Sequence, residues 1–297
     1  MLSRLSVWTE YLNIMNVELD LHLHTSASDG KLSPGELVGF VARKGLKLFS
    51  ITDHDTTLSL AEAKIAAQQF DDLELIPGIE LSTSSSGEEV HILGYHINPL
   101  DQTLQSVLHN FRLGRELAIR QTVDKLREAH VILEWERVLE IAGEGAIGRP
   151  HVAHALLEKG YIKHFAEAFD KYIGRGGIGY VDRPKITPAQ ACDLITSAGG
   201  VPVLAHPKYL ESPATIVEFL LPCGLSGIEV FYGDNSSQEI DMSLEISRQY
   251  DLLPCGGSDY HAKGSVGEKL PGEIGPPIWV AQELLKRSQQ IKQIVWE

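Results

Sequence analysis

The segment Leu19-Asp20-Leu21-His22-Leu23-His24-Thr25 alternates apolar and polar side chains without a break. An extended strand, whose side chains alternate with period two, sorts this run into an apolar face (Leu19, Leu21, Leu23) and an opposite face carrying Asp20, His22 and His24. Two imidazoles two residues apart on one strand face can both reach a single divalent ion, and imidazole suits zinc, manganese and iron alike. A His-x-His pair also occurs as a plain polar strand end, so its weight depends on what the rest of the chain supplies.

At 297 residues the chain has room for one large α/β domain with an insertion, or for two domains, and 43% hydrophobic with 22% charged residues is ordinary for a globular protein. No apolar run reaches bilayer-spanning length, and the N-terminus lacks the basic-then-apolar pattern of a secretory signal, so a membrane is not an expected partner and the expected setting is cytoplasmic. Cys192, Cys223 and Cys255 are odd in number and show no CxxC spacing, which predicts reduced thiols. A formal net charge of −14 repels long polyanions and argues against long duplex nucleic acid as a partner. Small anionic substrates remain open, because a few arginines and bound cations outweigh net charge locally. Oligomeric state is not legible from composition.

Residues 1–16 read as an extension ahead of the first strand. Ser33-Pro34-Gly35-Glu36 predicts a capped helix start, with Leu37, Val38 and Val41 as its apolar stripe and its end near Gly45. A strand over Leu46 to Thr52 delivers Asp53-His54-Asp55, a helix runs from about Leu58 to Phe70, and a third strand over Leu73 to Ile79 carries Glu80 at its tip. Val90 to Tyr95 is a fourth strand bearing His91. This βαβαβ rhythm predicts a parallel α/β architecture, with chemistry at the carboxyl ends of strands. Between 101 and 181 the rhythm turns helical: Leu104, Leu108, Phe111, Val123 and Leu126 predict a long amphipathic helix, followed by pieces over Val152 to Lys159 and Phe165 to Tyr172. We read 101–181 as a helical insertion forming a substrate lid, with 17–100 and 182–297 as the metal-binding barrel. Thr187-Pro188-Ala189-Gln190 opens another helix; Ser212-Pro213 opens a further one; Val201 to Ala205, Gly227 to Phe231 and Leu253 to Cys255 are strands.

Collected at strand ends, His22, His24, Asp29, His54, Glu80, His91, His206, Asp259 and His261 exceed the needs of one tetrahedral site, and a bridging carboxylate such as Glu80 would let neighbouring ions share a ligand. Any one of these histidines alone would read as an ordinary surface or core residue. Their motifs, namely Asp20-Leu21-His22-Leu23-His24-Thr25 with Ser28-Asp29-Gly30, Ile51-Thr52-Asp53-His54-Asp55, Pro77-Gly78-Ile79-Glu80, His91-Ile92-Leu93-Gly94, Ala205-His206-Pro207 and Gly257-Ser258-Asp259-Tyr260-His261, resemble the successive motifs of the polymerase and histidinol phosphatase (PHP) domain family. Arg112-x-x-Arg115, Gly148-Arg149-Pro150-His151 and Ala198-Gly199-Gly200 resemble its 3′,5′-nucleotide bisphosphate phosphatase and ribonuclease AM-type 5′-3′ exoribonuclease branch. The resemblance implies a distorted (β/α)7 barrel, amidohydrolase-like, holding two to three divalent ions, most often Mn2+, with Zn2+ or Fe2+ as alternatives. It implies His22, His24, Glu80 and Asp259 on a first ion, Glu80, His91 and His206 on a second, and Asp29, His54 and His261 on a third.

Arg112 and Arg115 share a helix face, which in isolation is a solvated charged face. Arg149 and His151 sit in a Gly-Arg-Pro-His turn ahead of a helix, a placement that suits phosphate. The resemblance makes these arginines the grip on the phosphate that is not cleaved, with Asp29 and His54 beside them; Lys208 and Arg183 are lesser candidates of the same kind. Tyr180 and Tyr209 read equally as base-stacking or as packed residues. The expected reaction is phosphoester hydrolysis at the ions, with Glu80, Asp259 and His261 as catalytic residues and Asp53 or Asp55 orienting ligands. The expected substrate is the 3′-phosphate of 3′,5′-bisphosphonucleotides (pAp to AMP), with 5′-3′ trimming of short RNA beside it. Histidinol-phosphate hydrolysis is the enzyme alternative, and a metal-stabilised nucleotide-binding scaffold the non-catalytic one.

Overall fold

Seven strands form one sheet in chain order: β1 Leu19–Leu23, β2 Leu48–Ile51, β3 Glu74–Ser85, β4 Glu88–Tyr95, β5 Val201–Leu204, β6 Gly227–Tyr232 and β7 Leu253–Gly257. The structure, a computed structural model, describes residues 17–85, 87–143, 147–182 and 185–295; the 1–16 extension and Arg183 lie outside the described residues. Nine helices over the described residues flank the strands: α1 Pro34–Arg43, α2 Ser59–Ala67, α3 Gln102–Glu128, α4 Trp135–Ala142, α5 Arg149–Glu158, α6 Pro188–Ser197, α7 Pro213–Leu220, α8 Ser237–Gln249 and α9 Trp279–Val295. The two ends of the sheet meet. Leu23 bridges Tyr260, His24 N donates to Tyr260 O at 3.0 Å, and Asp259 N donates to His22 O at 2.9 Å, so the sheet curls into a nearly closed, distorted barrel.

The wholly parallel sheet expected from the βαβαβ rhythm is corrected at β4, which is antiparallel to both β3 and β5. Its cause is the length of β3. The ladder to β2 ends at Pro77, which has no N–H to offer, but the strand runs on to Ser85 and returns directly as β4 past Gly87, which takes φ +88°. A connection that short can only join antiparallel strands. Glu80 therefore lies inside a strand opposite Leu93, not at a strand tip.

Local signals and tertiary packing agree at the caps. Ser33 Oγ accepts from Glu36 N while Glu36 Oε2 accepts from Ser33 N, a reciprocal cap of the kind that stabilises a helix start by about 1 kcal/mol. Leu37, Val38 and Val41 behind it are fully buried. Thr187 and Gln190 repeat the pattern at α6. The second helix is shorter than expected, and α8 and α9 were not foreseen, although Ser236 and Glu239 form the same box at the start of α8. Helix α3 spans two apolar clusters: Leu104 and Leu108 pack into the barrel core, whereas Ile119, Val123 and Leu126 pack with Val138, Val152, Leu156 and Ile173 of the helical region. A third cluster sets Leu19, Leu21, Tyr95 and Cys255 against Val280 and Leu284 of α9. Residues of β1 are buried on both faces, so Asp20, His22 and His24 sit in the interior with the leucines. All three cysteines are free, and no helix of the described residues is long and apolar enough to cross a membrane.

The barrel seam closes because β7 ends in glycine: a Cβ at Gly257 would lie 2.4 Å from His22 N and 2.6 Å from Asp20 Oδ1. Gly257→Ala is expected to destabilise the fold by about 1–3 kcal/mol, measured as a lower denaturant midpoint; an unchanged midpoint would show that the seam relaxes freely. A second expectation concerns His96, whose Nε2 is buried without a hydrogen-bond partner and whose pKa burial, aided by Lys292, pushes down to about 4. The unfolded chain binds this proton more readily than the folded one, so the stability tied to a neutral His96 is complete above about pH 6.5 and declines as pH falls towards 4. Replacement by asparagine, which tolerates the positive φ here, should make stability between those pH values less acid-sensitive by about 1–3 kcal/mol, read from urea titrations at pH 7 and pH 4.5.

Candidate metal centre

Glu80 is the hub. Its Oε2 lies 3.2 Å from His22 Nε2, 3.3 Å from His24 Nε2 and 3.1 Å from His54 Nδ1, while its Oε1 lies 2.7 Å from His91 Nδ1 and 3.0 Å from His206 Nε2. Asp259 Oδ1 completes the first side at 3.3 Å from His22 Nε2 and 3.0 Å from His24 Nε2. Asp29 Oδ1 gathers a further group: His261 Nε2 at 3.1 Å, His24 Nδ1 at 3.8 Å and His54 Nε2 at 3.9 Å. All nine side chains singled out from the sequence therefore converge on one cluster. The strands explain how: His22 lies in β1 and His24 and Asp29 follow it, β3 and β4 face each other to supply Glu80 and His91, and His54, His206 and the Asp259–His261 pair follow the carboxyl ends of β2, β5 and β7.

This donor set fits divalent ions. Ligand atoms about 2.1 Å from a tetrahedrally coordinated ion lie about 3.4 Å from one another, close to the 3.0–3.3 Å separations among His22, His24, Glu80 and Asp259. His24 Nδ1, Asp29 Oδ1, His54 Nδ1 and Asp259 Oδ1 are buried and, although close to neighbouring donors or acceptors, make no well-aligned hydrogen bond among the described residues, an arrangement that is costly unless a cation satisfies them. Titration behaviour agrees. Burial opposes a proton on His24, yet Asp259 and Glu80 overcome it and push the pKa up to about 10; His91 is pushed to about 9 by Glu80 against the same burial. Burial likewise opposes charge on Glu80 and Asp259, but the surrounding imidazoles hold both well below the ordinary carboxylate range. Burial dominates at His54 and takes it down to about 4. The cluster thus favours positive charge at its centre, and ions would take the place of the protons.

A further ring of contacts fixes the ligands. Glu229, fully buried inside the apolar strand β6, accepts from His206 N at 2.8 Å through Oε2 and lies 3.0 Å from His22 Nδ1 through Oε1. A carboxylate behind a ligating imidazole sets its tautomer and orientation. Sequence reading passed over Glu229, although an acid within Gly227-Ile228-Glu229-Val230-Phe231 was a legible signal. Asp20 Oδ1 accepts from His22 N and Ser258 N, and burial pushes the Asp20 pKa up to about 6. Asp53 accepts from Thr25 N, Thr25 Oγ1 and Ser28 Oγ at 2.6–2.7 Å and so clamps the loop that carries Asp29. Asp55 accepts from Ser82 N and, at 2.6 Å, from Arg115 Nη2.

Beside Asp29 and His54 opens a recess of about 380 Å³ whose walls include Arg115, Arg149, Arg175, Tyr180 and Lys185. Arg149 begins α5 with its guanidinium 5.9 Å from the Tyr180 ring centre, and His151 Nδ1 accepts from Gly148 N at 2.9 Å, shaping the turn that holds Arg149. Arg175, which donates to Gly87 O at 2.6 Å, and Lys185, paired with Glu89, were missed: neither stands in a motif, and only packing of the helical region against the β3–β4 hairpin brings them here. Glu89 in turn lies 3.3 Å from His91 Nε2. Arg112 is not among the recess lining, and Lys208 lies elsewhere, paired with Asp234 at 2.5 Å and set against the Tyr209 and Tyr232 rings.

Comparison with known proteins accords with this geometry. The PHP domain family model matches residues 20–179. The 5′-3′ exoribonuclease Rnm of Salmonella typhimurium is 35% identical over 88% of this chain and 89% of its own length, and the 3′,5′-nucleoside bisphosphate phosphatase of Chromobacterium violaceum is 33% identical over 88% and 95%. A solved structure from Bifidobacterium adolescentis, described as a candidate metal-dependent phosphoesterase, superimposes with a TM-score of 0.80 at 29% identity, covering 91% of this chain and 96% of its own.

Glu80→Gln tests the hub. Metal content after dialysis against Mn2+ should fall by at least one ion per chain, and the stabilisation that saturating Mn2+ gives the unaltered protein, about 2.7 kcal/mol at a hundredfold excess over Kd and read as a rise in melting temperature, should largely disappear. Undiminished metal content in that variant would remove Glu80 from the ligand set.

Proposed function

Because the chain belongs to the PHP domain family and is a metal-dependent hydrolase of phosphoester bonds, we propose that its substrate is a 3′,5′-bisphosphorylated nucleotide such as pAp, from which it removes the 3′-phosphate. The observation that carries this reading is the cationic recess directly beside the ligand cluster: a substrate with one phosphate on the ions and a second several ångströms away matches Arg115, Arg149, Arg175 and Lys185 grouped next to Asp29 and His54.

In this reading His22, His24, Glu80 and Asp259 hold a first ion, Glu80, His91 and His206 a second, and Asp29, His54 and His261 a third. The mixed imidazole and carboxylate donors suit Mn2+. When bound, the ions supply Lewis-acid neutralisation of phosphoryl charge and a water made acidic enough to attack near neutral pH. The chain's own residues do the rest. Arg149 and Arg115 orient the distal phosphate through forked hydrogen bonds, Arg115 being braced by Asp55. Tyr180, beside Arg149, offers a face to the base. Asp259, an ionised carboxylate whose Oδ2 accepts from the Tyr232 hydroxyl at 2.8 Å, takes the proton given up by the attacking water and hands it to the departing 3′-oxygen. Residues 101–181, which contribute most of the recess, act as the substrate-gripping insertion. Stepwise 5′-3′ trimming of short RNA is the second reading, supported by the Salmonella relative, since removing a 5′-nucleotide breaks the same bond to a 3′-oxygen.

Arg149→Ala is the test. The kcat/KM for pAp should fall about tenfold to a hundredfold, the loss of one charge-assisted phosphate contact, while turnover of p-nitrophenyl phosphate, which has no second phosphate, changes little. Equal losses on both substrates, or a wild-type preference for histidinol phosphate over pAp, would overturn the proposal.

A further inference from the structure

The cluster has two open sides. The arginine recess borders it at Asp29 and His54; a second hollow of about 220 Å³ borders it at Asp259 and His261, with Tyr232, Lys263 and Lys269 on its walls. Next to this second side, the short turn after β5 carries Lys208 and Tyr209 directly behind His206. The Tyr209 ring is 62% exposed, unusually open for a large aromatic residue, yet it is not loose. Its centre lies 5.6 Å edge-on from the His206 ring and 6.1 Å from the Tyr232 ring, and the Lys208 ammonium sits 5.2 Å from Tyr209 and 5.6 Å from Tyr232. Lys208 is itself braced by Asp234. One face of an aromatic ring is thus held in place by a cation and two neighbouring rings while the remainder faces solvent. Apolar burial does not explain an exposed ring fixed in this manner; a partner ring stacking on it does.

The geometry points to a downstream subsite in which Tyr209, positioned by Lys208, stacks the base of the nucleotide that follows the scissile phosphate in a short 5′-phosphorylated RNA. This rests on the function proposed above and extends it. In a bisphosphonucleotide the phosphorus held at the cluster bears no further ester. In an oligonucleotide the same phosphorus also carries the 5′-oxygen of the next residue, which must leave the cluster on the side away from the arginine recess. Hydrolysis is otherwise identical: the water oxygen bonds to phosphorus, the bond from phosphorus to the 3′-oxygen of the first nucleotide breaks, that oxygen takes up a proton, and the phosphate stays on the shortened strand. Tyr209 lies on the exit side, beside His206, and Lys269 adds positive charge for the phosphates beyond, whereas Lys263 is paired with Asp29 at 2.9 Å. What distinguishes the two substrates chemically lies where Tyr209 stands.

The experiment compares the Mn2+-loaded full chain on pAp and on the 5′-phosphorylated dinucleotide pApA, as the ratio of the two kcat/KM values. Tyr209→Ala should lower the pApA-to-pAp ratio about tenfold, the scale of one lost base stack, and Tyr209→Phe, which keeps the ring, should leave it within about twofold of wild type. An unchanged ratio in Tyr209→Ala, whether or not both activities fall together through His206, overturns the subsite. Wild-type hydrolysis of pAp without hydrolysis of pApA overturns the subsite and leaves the bisphosphatase reading standing. Hydrolysis of neither substrate overturns both.

Discussion

A carboxylate buried among imidazoles is the constraint on which the rest of the molecule depends. Glu80 is 1% exposed and reaches five histidines from four separate segments of chain. Taking such groups out of water is costly unless they are paired, and pairing one carboxylate with that many rings leaves lone pairs that only cations can satisfy together. The fold meets this condition by converging strands from both ends of the chain on a single point. Closure of β7 against β1 is therefore part of the site as much as of the scaffold: the backbone bonds from Asp259 N and His24 N that knit the seam also set two of the ligands.

The supporting residues show the same economy. Glu229 orients a ring from β1 and the backbone of the ligand after β5, so a single buried acid couples two strands. Asp53 and Asp55 flank His54 and reach in different directions, one into the loop holding Asp29 and the other to β3 and Arg115. Because Arg115 stands on α3, and α3 shares its apolar side chains between the barrel core and the helical cluster, the recess is rigidly tied to the ligand cluster. The distance from the ligand cluster to Arg115 is in this way set by the packing of one long helix.

Part of this was readable in advance, for reasons that differ from residue to residue. The ligand positions were legible because ligating chemistry restricts side-chain type and because strands deliver their ends to one side of a sheet, so His22, His24, His54, His206 and Asp259 could be collected without coordinates. The capped starts of α1 and α6 were legible because a cap is made by residues three apart. Glu80 was picked out as a candidate ligand but misplaced as a strand tip, since nothing local in Leu73 to Ser85 says where one ladder partner gives way to another. Arg175 and Lys185 went unnoticed because each acts through a contact with residues many tens of positions away, whereas Glu229, an acid within an apolar strand, was legible and passed over.

By itself, the sequence determined the strand and helix inventory in outline and the side chains that converge on Glu80, since periodicity, capping and donor type are properties of neighbouring residues, and the resemblance of its motifs to the PHP family pointed to phosphoester chemistry. Only the tertiary structure decided the antiparallel insertion of β4, the closure of the barrel through Gly257, the addition of Arg175 and Lys185 to Arg115 and Arg149, and the separation of Lys208 from them. Those features arise from ladder pairing and core packing between distant segments, where register and direction are set by the summed burial of many side chains and no short stretch carries the information.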